Sequence, residues 1–206
     1  PVAQLGKKLF FSKALSGDLD TACVSCHHPT LGGGDDLSLS VGVEAEIPDL
    51  LGPGRRHRAD GTHFDGGPTV PRNAPTTFNM GLWDTVLFLD GRVESLDPMP
   101  GSNGAGADIR TPDSVFGVAD PDAGENLTTA QARFPVTSPE EMRGHSFGFS
   151  TNADNADLRA ALERRLRGTD PGLTTNNWLA EFRQAFGDPD GTPEELITYA
   201  NIAFAL

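Results

Sequence analysis

The chain has 206 residues, enough for one domain with a core of its own. Its 29 acidic residues against 16 basic ones leave a net charge of −13, which phosphate backbones and anionic lipid surfaces repel, so nucleic-acid and peripheral-membrane roles are argued against. No run of about 20 apolar residues is present to span a bilayer, and the 24 glycines and 16 prolines predict long loops that need something to pack on.

In chain order, Val2, Leu5, Leu9 and Phe10 fall at helical spacing and predict a helix over 2–11, with Lys7 and Lys8 on the opposite side. Gly17 and Asp18 then turn the chain into ACVSCHH at 22–28, which holds both cysteines of the protein. Residues 29–75 show no periodicity. A loop of that length inside a compact domain is either functional or wrapped around a non-protein core. Residues 76–99 contain Phe78, Trp83, Val86, Leu87, Phe88 and Leu89, the densest apolar run in the chain, and 100–135 reads as an ordered insertion or surface loop rich in Gly, Asp and Pro.

Three helices are predicted to close the chain. The first, 154–167, places Leu158, Ala161, Leu162 and Leu166 on one stripe and stops at Gly168. The second, 176–186, gathers Trp178, Leu179, Phe182 and Phe186. The third, 193–206, starts from a Thr192 cap, Pro193 in its first turn and a capping box completed by Glu195. It runs apolar to Leu206, which points to a continuation. No strand is predicted, so the expected fold is all-α: one domain over 1–206 with loop insertions at about 44–70 and 100–135.

Four chemistries compete for Cys23, Cys26 and His27. In the first, both thiols add to the vinyl groups of a haem and the adjacent histidine becomes the proximal iron ligand. The Cys-x-x-Cys-His spacing suits this, and the motif uses every cysteine present. A thioredoxin-type dithiol needs a βαβ setting that the pattern lacks. A zinc site would join the cysteines to His57 and His63, across a separation far longer than usual. Two reduced core cysteines would want less polar neighbours than Ser25, His27, His28 and Pro29. Haem c, one group on this chain, is the best-supported reading. It is attached outside the cytoplasm, so a periplasmic or extracellular protein with its signal peptide removed is expected.

The blocks LGKKLFFSKALSGDLDTACVSCHHPTLGGGDD, SVGV, RNAPTTFN and FLDGRVESL, and more weakly PVTSPEEM, resemble the N-terminal haem domain of the bacterial di-haem cytochrome c peroxidase family, which includes the MauG-like enzymes. The resemblance implies a cytochrome c-like haem domain, one half of a two-haem-domain protein, that meets hydrogen peroxide and draws electrons from a second haem. A non-enzymatic alternative is a mono-haem electron carrier. The implied partners are the second haem-bearing half or chain, a basic electron donor (cytochrome c or a cupredoxin) or a protein substrate, and a second copy in a homodimer. Calcium between haem domains is implied by the resemblance alone.

The chain departs from the family's pattern as well. A second Cys-x-x-Cys-His is absent, and the sixth-ligand histidine after SVGV falls near Val43, leaving His57 or His63 as substitutes. The distal glutamine falls on Leu87 and the distal glutamate on Asp97. Asp97 is then the expected proton shuttle, with Leu87, Phe88 and Leu89 excluding water around it, although an aspartate before Pro98 also serves as a turn. Arg92 is expected to hold a propionate or stabilise charge on bound oxygen, or else to pair with Asp90 or Glu94. Asn73, Pro75, Thr76 and Phe78 are expected along the haem edge, with Phe88 beside them. Trp83 is expected as an electron relay or a core residue, and Met80, Met99 and Met142 as packing.

Overall fold

The computed structural model describes residues 1–62, 64–145, 153–169 and 172–206. Helix α1 (Val2–Phe10) buries Leu5 and Leu9, as its spacing predicts. A four-residue helix, α2 (Cys23–Cys26), carries the cysteines. Helix α4 (Asn155–Arg167) begins where the Asp154 carboxylate accepts from the Asp157 amide at 2.8 Å and ends at Gly168 in the left-handed region, while α5 spans Trp178–Phe186. Their apolar faces meet α1 and the last helices in a cluster containing Leu5, Leu9, Leu162, Phe182 and Ile202, against which Cys23 packs. Each such side chain stabilises the fold by about 1.5–3 kcal/mol on burial.

The helix expected over 193–206 is two helices, α6 (Pro193–Leu196) and α7 (Tyr199–Ala205). The capping box at Thr192 and Glu195 forms as predicted. The break comes at Thr198, whose hydroxyl accepts from the Asn201 amide and starts a new helix in competition with the old one.

An all-α architecture is corrected by a small antiparallel sheet of β1 (Val86–Leu87), β2 (Val93–Ser95) and β3 (Ile109–Arg110), ordered β1-β2-β3. Val86 faces Glu94, and Glu94 faces Arg110, whose Nε donates to it at 2.9 Å. Strands of two or three residues are too short to write a period-two pattern. A short helix, α3 (Leu127–Gln131), covers the sheet, so Leu87, Val93, Ile109, Leu127 and Phe134 form a second core. The 100–135 segment therefore supplies a strand and a helix rather than surface loop alone. Part of the long loop pairs with itself: the Glu46 amide donates to the Arg56 carbonyl at 2.8 Å and the Arg58 amide to the Glu44 carbonyl at 3.0 Å, around an Ala45–His57 bridge.

Candidate functional site

The site begins at α2. One helical turn places Cys23 and Cys26 together, and both are free and partly buried. Burial pushes each thiol up to about 12, so neither is a ready thiolate nucleophile of the dithiol-exchange kind. His27 follows at the C-cap with φ −127° and ψ 61°, a conformation that leaves the helix and turns the ring away from it. Its Nδ1 lies 3.1 Å from the Gly33 carbonyl and 3.0 Å from the Pro75 carbonyl. Two acceptors on one nitrogen require that nitrogen to carry the proton, which leaves Nε2 with its lone pair bare. Burial holds the ring below the ordinary histidine range, outweighing these carbonyls and Asp35, and so favours the neutral form that ligates metal.

Gly33 makes this arrangement possible. Its φ is +79°, and a Cβ there would come within 2.9 Å of the Thr76 hydroxyl and 3.0 Å of the Thr77 amide. The segment 73–78 is thereby laid against the CVSCH turn. The Thr76 hydroxyl donates to the Gly32 carbonyl at 2.6 Å and Asn73 Nδ2 donates to the Leu37 carbonyl at 2.6 Å. Pro75 is exposed and Phe78 is half exposed, so their contribution here is the Pro75 carbonyl and an open apolar ring. A cavity of about 490 Å³ lies alongside, lined by Leu31, Gly34, Asp35, Asn73 and Thr76.

Residues 138–143 pack against Gly17, Gly42 and Val43. Gly42 passes so close to that segment that a Cβ on it would meet the Glu140 and Glu141 carbonyls at 2.3 and 2.4 Å. The Val43 amide donates to the Glu140 carbonyl at 3.3 Å and the Gly17 amide to the Met142 carbonyl at 2.8 Å. This stitching brings Glu141 beside the motif. Burial raises its carboxyl above the ordinary glutamate range, with the Arg92 guanidinium opposing and Glu140 reinforcing the rise, and Glu141 is in turn among the charges felt at Cys26. Arg92 also donates to Asp90 at 2.9 Å, and its guanidinium lies 3.7 Å over the half-buried Phe88 ring. Asp97, by contrast, is exposed, as are Leu89 at 90 % and Trp83 at 60 %, so Trp83 is not core, while Leu87 is buried and Phe88 half-buried. The sequence reading passed over Glu141; the signal available was its place in PVTSPEEM, beside the buried Met142.

His57 is buried, but its Nε2 faces Glu44 at 3.1 Å and its ring meets Phe64 edge-on at 5.4 Å. Its other nitrogen, Nδ1, is buried without a hydrogen-bond partner. His63 lies outside the described residues. Among the described residues no group of three or more His, Cys, Asp or Glu side chains is placed to hold a bare metal ion, so neither the zinc arrangement nor calcium gains a ligand set there.

The residues present suit a haem c: two free cysteines on one turn, a histidine with Nε2 free, and a half-buried carboxyl, Glu141, whose charge reaches Cys26. Comparison with known proteins decides the family, since the di-haem cytochrome c peroxidase pattern matches residues 1–206 throughout. The chain belongs to that family. Within it, this peroxidase-family chain is 28 % identical over 200 residues to the methylamine utilization protein MauG of Methylorubrum extorquens, covering 97 % of this chain and 36 % of that protein. It is 36 % identical over 95 residues to the cytochrome-c peroxidase IdrP2 of Pseudomonas sp. strain SCT, and 33 % identical over 93 residues to the cytochrome c551 peroxidase of Pseudomonas aeruginosa. These matches cover 46 % and 45 % of this chain, and 20 % of each relative. The chain thus spans between a fifth and about a third of the length of these relatives. No described helix is long and apolar enough to cross a membrane.

Proposed function

We propose that this chain is the haem c-bearing domain of a periplasmic or extracellular oxidoreductase that acts on hydrogen peroxide, with electrons relayed from a second haem-bearing half. Haem, when bound through Cys23 and Cys26, supplies the iron and the electrons' point of entry for reducing peroxide with two electrons and two protons to two waters. His27 offers Nε2 to that iron because Gly33 and Pro75 hold its other nitrogen as the proton-bearing one. Glu141 takes the proton-moving role: it gathers a proton from one peroxide oxygen and delivers it to the other, so that water leaves as the O–O bond breaks. A carboxyl raised by burial suits both halves of that transfer better than an exposed one, which is why Glu141 replaces Asp97 in this reading. Arg92, whose charge acts on the Glu141 carboxyl, would keep a positive charge where negative charge develops. A basic donor protein matches the net charge of −13. The similarity to MauG supports oxidation of a protein side chain as the alternative use of the same site.

The observation that carries this is the His27 hydrogen-bond pattern next to two free, adjacent cysteines. The test is a pyridine haemochrome assay on the protein as exported by its host, followed by ferric and ferrous absorption spectra with and without hydrogen peroxide. A covalent haem with a high-spin signal that changes within seconds of peroxide addition is expected. A low-spin spectrum indifferent to peroxide in both oxidation states would make it an electron carrier instead.

A further inference from the structure

Arg55 is 4 % exposed, yet it pairs with no carboxylate within 4 Å among the described residues. All five of its N–H groups are occupied by neutral oxygens. Nε donates to the Val41 carbonyl at 2.7 Å; Nη1 to the Pro48 and Leu50 carbonyls, both at 2.9 Å; Nη2 to the Gly42 carbonyl at 2.8 Å and the Thr21 hydroxyl at 3.1 Å. Thr21 lies two residues before Cys23, and its own hydroxyl donates to the same Gly42 carbonyl at 2.9 Å. The guanidinium is therefore fixed against the attachment turn, and Cys26 is within its field. Asp20, Asp35 and Asp49 act on it from further away. With no N–H left over, Arg55 has no donor to spare for a haem carboxylate. What it contributes is a permanent positive charge in a dry place.

From this geometry we infer that Arg55 is a positioning residue that sets the reduction potential of the haem held at Cys23 and Cys26, raising it by favouring the form with one less positive charge on the metal. The inference rests on the haem reading above. Asp35, 1 % exposed with Oδ2 buried and unpartnered, works in the opposite sense, because its charge reaches both Cys26 and His27. At the effective dielectric of about 20 that describes protein interiors, a unit charge roughly 10 Å from a redox centre changes its equilibrium by about tenfold, which for one electron is about 59 mV.

The experiment is a redox titration of the full-length, haem-loaded protein, with each ferric iron read separately by low-temperature electron paramagnetic resonance. At the wild-type midpoint, Arg55→Gln is expected to lower the reduced-to-oxidised ratio of this domain's haem about tenfold. Arg55→Lys, which keeps the charge and loses the fork, should stay within about threefold while its melting temperature falls. Asp35→Asn should raise the ratio. An Arg55→Gln protein with the wild-type ratio, or a lysine variant shifted as far as the glutamine one, overturns the inference. Should Arg55→Gln fail to fold, Asp35→Asn decides: no rise overturns it. A haemochrome assay on the same samples separates the two levels, since absence of haem defeats the proposed function, whereas haem at an unchanged potential defeats only the role of Arg55.

Discussion

Two half-buried histidines, His27 and His57, have ring neighbours of different kinds. Around His27 the neighbours are backbone carbonyls, fixed in place and able only to accept, so one ring nitrogen is committed and the other is left for a metal. Around His57 the neighbour is a carboxylate, Glu44, which also accepts from the Thr62 amide at 2.9 Å, so the ring serves to close the 44–62 loop. The difference teaches that burial alone does not make a ligand. Each ring has one nitrogen committed, and place separates them: His27 follows directly on two cysteines, while the other nitrogen of His57, Nδ1, is buried without a partner.

The sharpest way to break this contrast is to exchange the two losses. On the haem reading, His27→Gly removes the proposed iron ligand and is expected to abolish most peroxide turnover, whereas His57→Gln should leave the absorption spectrum unchanged and cost stability of about 1–3 kcal/mol through the lost His57–Glu44 hydrogen bond. Absorption spectra and thermal melts of the two variants check both halves. If the spectrum of His57→Gln changes while that of His27→Gly does not, the roles are reversed.

A second contrast sets Glu141 against Asp97. Glu141→Gln is expected to slow peroxide turnover by about 10²–10⁴-fold, the range of a lost general acid–base, and Asp97→Asn by less than about twofold. Stopped-flow rates of peroxide reaction at fixed pH read this directly, and equal losses in the two variants would remove Glu141 from its assigned place.

The smallest effect is on stability against pH. Glu141 has its folded-state pKa raised by burial, so its contribution to stability is fully present below the unfolded value of about 4.3 and is lost as pH rises through the raised folded value. Melting temperatures of wild type and Glu141→Gln should therefore diverge in favour of the glutamine variant as pH rises from the acid range. A gap that stays constant across pH would mean that the carboxyl is not held up in the fold.

The sequence made the helices at the two ends legible because they are amphipathic and capped by local chemistry: Asp154, Gly168 and the Thr192–Glu195 box all act within a few residues of themselves. It also made Cys23, Cys26 and His27 legible, since their spacing is the chemistry. What it hid depends on distant parts of the chain. The sheet consists of strands too short to show alternation, and its Glu94–Arg110 pair joins residues 16 apart across a loop. Glu141 carries no motif of its own without the Gly42 approach that brings it to the site, and Arg55 looks like any other arginine in GRRHR until its five acceptors are seen. Asp97 is where the resemblance places the family's distal glutamate, and its exposure depends on contacts that the linear sequence does not show.

The seam between residues 42–43 and 140–141 joins stretches that lie roughly a hundred residues apart, a closure paid for in chain entropy and formed late in folding. The cysteine turn is built from neighbours in sequence, and its acidic companion comes from far along the chain. On the haem reading, a folding chain can therefore present its attachment turn before the residue proposed to govern protons is in place.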